Sequence, residues 1–214
     1  MSDDHNRVID VEARRVLKPF GLVRKGKSRV WLDDHGWWLI QVEFQPSAWS
    51  RGSYLNVGVT WMLYESSVGA FHVGSRVDVP FISAVGNENF AEEARNLALR
   101  AKEEVTALRS KFEHLPAAVG HYGEVLERRS IWDDYFHGVF LGLSGDSTNA
   151  KLAFNAVPKH RVQYQWEKAL SYRASELSEL VPNRAAFTDT IRGIVLRTRS
   201  VGNLPDWEGD IVFA

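Results

Sequence analysis

The chain has 214 residues, of which 44% are hydrophobic and 25% are charged, and its formal net charge is −1. This composition is typical of a globular protein with a sizeable core. The near-neutral charge argues against a general nucleic-acid binder, which needs surplus Lys and Arg to displace counterions. Because the sequence has no cysteine, disulfides, thiol chemistry and Cys-ligated zinc are excluded.

Neither end of the sequence nor its interior carries a targeting or membrane signal. The first ten residues are polar and acidic, without an apolar signal core. No apolar run approaches the ~18 residues that a membrane span needs. We therefore expect a cytoplasmic protein without membrane contact, and no motif implies a cofactor.

The first predicted elements are a helix and a short hairpin. Apolar residues at three- and four-residue spacing predict an amphipathic helix over Asn6–Phe20, which Pro19 and Gly21 end. The next hairpin pairs Leu22–Lys25 with Ser28–Asp33 and turns at Gly26, and Asp34-His35-Gly36 makes the turn that leads into the central strands.

The segment Gly36–Leu63 predicts two long strands joined by a short loop. Apolar and polar residues alternate through both halves, so one face of the sheet is buried and the other carries aromatic and uncharged polar groups. A further hairpin is predicted over Ala70–Val79, with its turn at Gly74. Four successive strands with tight turns indicate an antiparallel meander.

From residue 89 onward the pattern becomes helical. A long helix is predicted over Asn89–Leu115, and Pro116 opens the next one. Further helices are predicted over Ile131–Leu143, Ser147–Val157, His160–Val181 and Asn183–Arg199, and the segment Ile211–Phe213 is expected to pack as a last strand or cap. We expect an α+β fold with a sheet domain over 1–115 and a helical bundle over 116–214, packed as one compact unit.

The N-terminal part resembles a known bacterial family. The segment Val16–Gly26, the aromatic strands with Gln45 that follow it, and Tyr54–Val59 occur in the order and spacing of the family filed as domain of unknown function 4304. The resemblance covers roughly residues 7–65, with a weaker continuation through Val77–Phe81. It implies a shared fold and leaves the function open, because the family supplies no reaction or ligand.

The polar face of the central strands is the first candidate site. If Trp38, Ile40 and Val42 face the core, residues of the opposite parity face away from it. Such a mixed aromatic and amide surface can bind a small polar ligand or a partner loop. The residues assigned to it are Arg29, Trp31, Trp37, Gln41, Glu43, Gln45, Tyr54 and Asn56, and Asp33 and Thr60 share their parity. The alternative is that helices cover this face and its amides serve the backbone.

The basic hairpin is the second candidate. It carries Arg24, Lys25, Lys27 and Arg29 around Gly26. These cations could bind phosphates while Trp31 stacks on a base. The alternative is a solvated edge hairpin whose charges prevent strand pairing with other molecules. The near-neutral chain favours the alternative, so a nucleic-acid partner is the less expected one.

The third candidate is a pair on the helix over Ile131–Leu143. Asp133 and His137 are four residues apart and share a helix face, as an acid/base pair or two metal ligands would. A metal would need a third ligand, for which His114 and His121 are the nearest in sequence. The alternative is a surface salt bridge, and we assign no metal site.

From these patterns we expect a non-catalytic recognition module that binds a protein partner or a small polar ligand on the polar sheet face. The absence of a nucleophile elbow, a phosphate-binding loop, a dinucleotide fingerprint and a zincin motif favours binding over catalysis. One alternative is a hydrolase-type enzyme that uses Glu43 or the Asp133/His137 pair. The other is a nucleic-acid binder that uses the basic hairpin.

Overall fold

The computed structural model describes residues 4–66, 69–124, 129–161 and 163–213. Within these ranges the chain forms seven α-helices and a six-stranded antiparallel sheet, so the predicted α+β class is confirmed. The chain divides into two compact units, Met1–Trp61 with Gly69–Lys111 and Met62–Val68 with Phe112–Ala214. None of the described helices combines the length and apolar composition that a membrane crossing requires.

The first unit contains the whole sheet. Its elements are α1 (Asp4–Leu17), β1 (Val23–Arg24), β2 (Val30–Asp34), β3 (Trp38–Gln45), β4 (Gly52–Trp61), β5 (Val73–Arg76), β6 (Ile82–Ser83) and α2 (Phe90–Lys111). The strands follow the order β1-β2-β3-β4-β5, and β6 pairs with the start of β4. The predicted meander is therefore confirmed for its first four strands.

Helix α1 ends three residues earlier than the predicted Phe20. Gly21 adopts a left-handed conformation with φ +100°. This allows the Leu22 N–H to donate to the Leu17 carbonyl at 3.1 Å, which closes the helix before the chain enters β1.

The hairpin predicted over Ala70–Val79 is wrong, because this segment supplies only one strand, β5. Gly74 lies inside β5, opposite Gly58 of β4, rather than in a turn. A Cβ atom on Gly74 would lie 2.5 Å from the Val57 carbonyl oxygen, and its φ is +103°. Close approach of two backbones, not a reversal of the chain, is therefore what requires glycine here.

The core of this unit lies on the sheet face that carries Ile40, Val42 and Val59, all of them fully buried. Helix α2 packs against β3 and β4 and against α1. The predicted apolar stripe of α2 is confirmed, since Phe90, Ala94, Leu97, Ala101 and Val105 are buried.

The second unit is helical among its described residues. Its helices are α3 (Leu115–Gly123), α4 (Ile131–Ser144), α5 (Ser147–Ala156), α6 (Gln165–Leu180) and α7 (Arg184–Val201), with a 3₁₀ turn at Val157–Lys159. Helix α4 contacts each of the other four. Two of its glycines allow this, because a Cβ on Gly138 or Gly142 would lie within 2.7 Å of Phe154 or Phe187, respectively.

One helix boundary in the second unit differs from its prediction. Helix α6 begins at Gln165, five residues after the predicted His160, because Glu167 accepts the Tyr164 N–H and caps the helix there. Of the two alternatives for the segment Ile211–Phe213, a strand or a cap, the strand is not formed; Ile211 is buried, and its carbonyl accepts a hydrogen bond from Arg192.

Candidate functional site

A small cavity of about 200 Å³ lies in the first unit between α1 and the β1–β2 hairpin. Helix α1, the hairpin loop and strands β2 and β3 all contribute side chains to it. The lining residues are Asn6, Ile9, Asp10, Ala13, Arg24, Lys27, Arg29, Trp31 and Phe44. The lining therefore combines three cations and one carboxylate with four apolar or aromatic side chains.

Arg24 shapes the hairpin loop that forms the basic edge of the cavity. Its guanidinium donates from Nε to the Ser28 carbonyl at 2.7 Å and from Nη2 to the Lys27 carbonyl at 3.2 Å. Its Nη1 forms an ion pair with Asp10 Oδ1 at 2.9 Å. Gly26 takes a left-handed φ of +55° at the tip, so the loop folds back around Arg24 and Lys27 is placed at the cavity.

Arg29 lines this cavity and carries an unsatisfied donor. Its Nη2 donates to Asn6 Oδ1 at 2.5 Å, which ties the residue before β2 to α1. Its Nη1 is buried and has no hydrogen-bond partner among the described residues. Burial also lowers the pKa of Arg29. A buried donor without an acceptor costs about 1–3 kcal/mol, and more when it is charged, so an anion that reached Nη1 would restore a lost interaction.

Strand register separates the residues that the sequence placed on one polar face. Trp31 pairs with Val42 and Leu32 pairs with Gln41, and paired residues share a face. Arg29 and Trp31 therefore lie on the face opposite Gln41, together with the buried core. Asp33 pairs with Ile40 and is likewise on the core side.

Trp37 also departs from the expected surface. It precedes β3, is buried, and its ring centroid lies 5.7 Å from that of Trp61 and 6.1 Å from that of Trp38. Trp38 pairs directly with Trp61 on the core side of the sheet. Trp37 therefore belongs to a packed tryptophan cluster.

The remaining predicted residues do share a face, and their amide and carboxylate side chains form hydrogen bonds with other side chains on that face. Gln41 is buried and donates to Thr60 Oγ1 at 2.5 Å, and Thr60 in turn donates to the Ala70 carbonyl at 2.7 Å. The segment that contains Ala70 crosses this face, because a Cβ on Gly58 would lie 2.5 Å from Phe71.

A second group on the same face lies nearer the far end of the sheet. Asn56 Nδ2 donates to Glu43 Oε2 at 2.8 Å and to Gln45 Oε1 at 3.0 Å. Arg76 donates to the same Gln45 oxygen at 2.8 Å, and its guanidinium carbon lies 3.9 Å from the centre of the Tyr54 ring. Glu43 thus has an amide partner.

Asp33, which the sequence grouped with the polar face, is a buried carboxylate on the core side. Asp33 accepts two hydrogen bonds from Arg109 of α2, at 2.7 and 2.8 Å, and His35 Nε2 lies 2.7 Å from its Oδ2. Burial raises the pKa of Asp33, but the bonds to Arg109 and His35 outweigh it and lower the pKa to about 2. The same pairing raises the pKa of Arg109. This cluster joins β2 to α2.

The Asp133/His137 pair is not formed in the second unit. The Asp133 carboxylate accepts the Ser130 N–H at 2.6 Å and completes a capping box at the start of α4. His137 Nδ1 lies 3.3 Å from Arg129 Nη2, and burial together with Arg129 lowers the pKa of His137. The sequence interpretation of an acid/base pair is therefore wrong.

Asp134, the next residue, holds the ionic contacts instead. It is buried, and its two oxygens contact Arg129 at 2.6 Å and His160 at 2.7 Å. Within the described ranges no group of three or more His, Asp or Glu side chains could hold a metal ion.

Comparison with known proteins adds no assignment: no family model, no curated protein and no solved structure matches the chain. The resemblance over residues 7–65 therefore stays a prediction. The cavity, the hairpin and the sheet face must be interpreted from their own chemistry.

The sequence identified the basic and aromatic side of the cavity but missed its helical wall. Arg24, Lys27, Arg29 and Trp31 were candidates, whereas Asn6, Ile9, Asp10 and Ala13 were seen only as parts of an amphipathic helix. The available signal was polar Asn6 and Asp10 flanking the apolar Ile9, which are the polar groups that line the cavity from α1.

Proposed function

We propose that the protein is a non-catalytic recognition module that binds a small anionic ligand in the cavity between α1 and the β1–β2 hairpin. The observation that carries this proposal is the buried Arg29 Nη1, which has no acceptor among the described residues. The proposal keeps the class of function expected from the sequence and moves the site from the polar sheet face to the core-side edge of the sheet.

The charge of the lining supports an anion over a cation or a neutral molecule. Arg24, Lys27 and Arg29 face only Asp10, and Asp10 already pairs with Arg24 at 2.9 Å. Arg29 contributes a planar guanidinium, which binds carboxylates and phosphates through two parallel hydrogen bonds where both nitrogens are accessible. Here Asn6 occupies Nη2, so the ligand is expected to accept from Nη1.

The size of the cavity limits the ligand. A volume of about 200 Å³ corresponds to roughly seven water molecules and is below the range of about 300–1,000 Å³ for drug-sized ligands. A nucleotide does not fit inside it. The nucleic-acid alternative would therefore use the hairpin cations Lys25 and Lys27, of which Lys27 also lines the cavity, rather than the cavity interior.

Thermal denaturation with acetate, phosphate and sulfate, at an ionic strength held constant with sodium chloride, tests the proposal. At 100 times its dissociation constant, a ligand adds ~2.7 kcal/mol of stability, which raises the melting temperature by roughly 5–10 °C. We expect at least one anion to raise it in the wild type and not in Arg29→Met.

Two variants serve as matched controls. Arg95→Met removes an exposed arginine from α2, and Tyr54→Ala alters the polar sheet face without touching the cavity. Both are expected to respond to the anion as the wild type does. An equal response in Arg29→Met would contradict the proposal. Loss of the response in Tyr54→Ala alone would move the site back to the sheet face.

A short single-stranded oligonucleotide completes the panel. Oligonucleotide binding that falls steeply with salt and weakens when Lys25 and Lys27 are both replaced by Ala would favour the nucleic-acid alternative. The cavity proposal expects no such binding.

A further inference from the structure

Four aromatic rings in the second unit, each nearly parallel to the next, form a series that ends at the surface. The Trp132 ring makes angles of 19° with the Phe136 ring and 5° with the Trp166 ring, at centroid distances of 5.6 and 5.7 Å. The Tyr164 ring continues the series at 9° and 6.5 Å from Trp166. Phe136 is buried and Trp132 is half-buried, whereas Trp166 is 45% and Tyr164 is 59% exposed. A further planar ring could therefore stack on the exposed Tyr164.

Helix α6 places a cation and a second exposed ring in line with Tyr164. The Lys168 N–H donates to the Tyr164 carbonyl at 3.4 Å, so Lys168 lies one helical turn further along, and its side chain is exposed. Tyr172 follows after another four residues and is 68% exposed. Residues at this spacing share one face of a helix. The exposed face of α6 therefore alternates ring, cation and ring.

The unpaired charge beside these rings is positive. Lys159, Arg161 and Lys168 are exposed, and within the part of the chain that the structure describes they take part in no salt bridge. Glu167, the acidic residue of the same stretch, is held by the backbone, because its Oε2 accepts two N–H groups at 2.6 and 2.7 Å. The three cations are therefore available to an anionic partner.

We infer that this surface of the second unit binds single-stranded nucleic acid, with one base stacked on Tyr164 and backbone phosphates beside Lys168 and Arg161. The inference goes beyond the anion cavity of the first unit and does not depend on it. The bases of a single strand stack on aromatic side chains while cations follow the phosphates. In a duplex the faces of the bases are already stacked on one another, so a double strand is not the expected partner.

The arrangement favours a nucleic acid over a protein partner. The cores of protein interfaces are enriched in aromatic residues but depleted in lysine. Here Lys168 lies between the two exposed tyrosines of α6, and an apolar partner that covered both rings would also have to desolvate its charge. The net charge of −1 argues against binding by charge alone, but base stacking contributes affinity that needs no large surplus of cations.

Fluorescence anisotropy with a fluorescein-labelled oligothymidylate of about twelve nucleotides, at low salt, tests this inference. A strand of the same length without bases is the matched ligand, because it keeps the phosphates and removes every ring. We expect the oligothymidylate to bind and the abasic strand to bind at least about tenfold more weakly. Equal affinity for the two strands would overturn the inference, since charge alone would then explain the binding.

Two variants of Tyr164 test the role of its ring. Tyr164→Ala should weaken oligothymidylate binding about tenfold or more, whereas Tyr164→Phe keeps the ring and should bind as the wild type does. Both variants keep the backbone N–H that Glu167 accepts at the start of α6, and circular dichroism establishes that each is folded. Trp49→Ala removes a tryptophan of the first unit that is 96% exposed, and it should leave the affinity unchanged.

The cations are tested by the salt dependence of binding. Lys168→Ala should lower the slope of log affinity against log salt by about 0.7, the value expected for one contact with a single-stranded phosphate backbone. Lys151→Ala, which removes an exposed lysine of α5, is the control and should keep the wild-type slope. Replacement of both Lys25 and Lys27 by Ala should also leave the binding unchanged, because they belong to the hairpin of the first unit.

Three other results would overturn the inference. The first is no oligothymidylate binding at low salt, or binding that Tyr164→Ala does not weaken. The second is binding that only the replacement of Lys25 and Lys27 removes, which would assign it to the hairpin. The third is self-association that Tyr164→Ala abolishes in a protein that binds no oligothymidylate, which would assign the exposed rings to a second copy of the chain. None of these results bears on the anion cavity of the first unit.

Discussion

Asp33 forms a buried ionic cluster in the first unit. Its carboxylate is buried between the Arg109 guanidinium and the His35 imidazole, and its pKa is about 2. His35 also stacks on Trp38, with ring centroids 4.1 Å apart. One carboxylate therefore ties β2, the turn before β3 and helix α2 together.

Acid titration should reveal this contribution. Because the pKa of Asp33 in the folded state lies below its unfolded value, its contribution is complete above pH ~4 and is lost as the pH falls toward 2. We expect a loss of roughly 2 kcal/mol in the free energy of unfolding over that interval. Urea denaturation between pH 7 and pH 2.5 measures it.

Asp33→Asn should be less stable than the wild type at pH 7 and should lack this acid-dependent loss. Asp78→Asn replaces an exposed carboxylate of the same unit and is the control, with wild-type behaviour expected. A parallel decline of wild type and Asp33→Asn below pH 4 would show that the ion pair contributes nothing.

His72 makes a second pH-dependent contribution to the free energy of unfolding, in a higher pH interval than Asp33. Its Nδ1 accepts the Trp61 N–H at 2.9 Å, and burial lowers the pKa of His72 to about 4. The unfolded chain binds the proton near pH 6.5, so this residue lowers stability as the pH falls from about 6.5 to 4. We expect NMR titration to show the imidazole neutral until about pH 4; a midpoint near 6.5 would contradict this.

His72→Asn isolates that effect, because an amide oxygen can replace Nδ1 as the acceptor for the Trp61 N–H. Its stability should change less than that of the wild type between pH 6.5 and 4. An unchanged pH dependence in this variant would assign the loss to other groups.

At the scale of elements, the turn before β3 decides which side chains share a face. The sequence suggested a turn of three residues, Asp34 to Gly36. In the structure the His35 N–H donates to the Trp38 carbonyl at 3.0 Å, which leaves a two-residue turn of Gly36 and Trp37. The Trp37 N–H donates to the His35 carbonyl at 3.1 Å, which makes a γ-turn centred on Gly36, whose φ is +82°.

Because the turn is one residue shorter than predicted, Arg29 and Trp31 lie on the opposite face of the sheet from the one that the sequence suggested. A strand's side chains alternate with a period of two, so a shift of one residue in register exchanges the faces completely. Alternation within β3 and β4 was predictable because both strands carry strong patterns, whereas β2 has buried residues on both faces, Trp31 and Leu32 among them. Its sequence therefore did not determine its orientation.

The pairing of β4 with β5 gives a prediction about glycine. Alanine at Gly74 would hold a residue at φ +103° and place its Cβ 2.5 Å from the Val57 carbonyl oxygen. We expect Gly74→Ala to lower the free energy of unfolding by about 2 kcal/mol or more. Gly69→Ala is the control, since nothing lies within 4 Å of its Cβ position, and a change within about 0.5 kcal/mol is expected there.

Chemical denaturation of both variants makes the comparison. If Gly74→Ala is as stable as Gly69→Ala, β5 does not approach β4 as closely as the structure shows. A hairpin turn at Gly74, as the sequence suggested, would then have to be reconsidered.

At the scale of the whole molecule the net charge is −1, but the positive and negative side chains are unevenly distributed. The cavity concentrates three cations beside one carboxylate, although the chain as a whole is nearly neutral. The near-neutral composition supported the prediction against general nucleic-acid binding. It could not reveal a local basic cavity.

The cavity itself depends on contacts between distant parts of the chain. Asn6 of α1 accepts from Arg29, the residue before β2, and the two residues are 23 positions apart. Helical periodicity places Ile9 and Ala13 on the buried face of α1, but it does not state which strand that face meets. The elements were therefore predictable, and the site became visible only when they were assembled.

A crystal structure of the protein soaked in whichever of acetate, phosphate and sulfate raises its melting temperature, from a solution free of the other two, tests the central claim most directly. We expect the anion in the α1–hairpin cavity, with an oxygen atom within about 3 Å of Arg29 Nη1. An empty cavity with Arg29 turned out to solvent, or the anion bound only elsewhere, would contradict it.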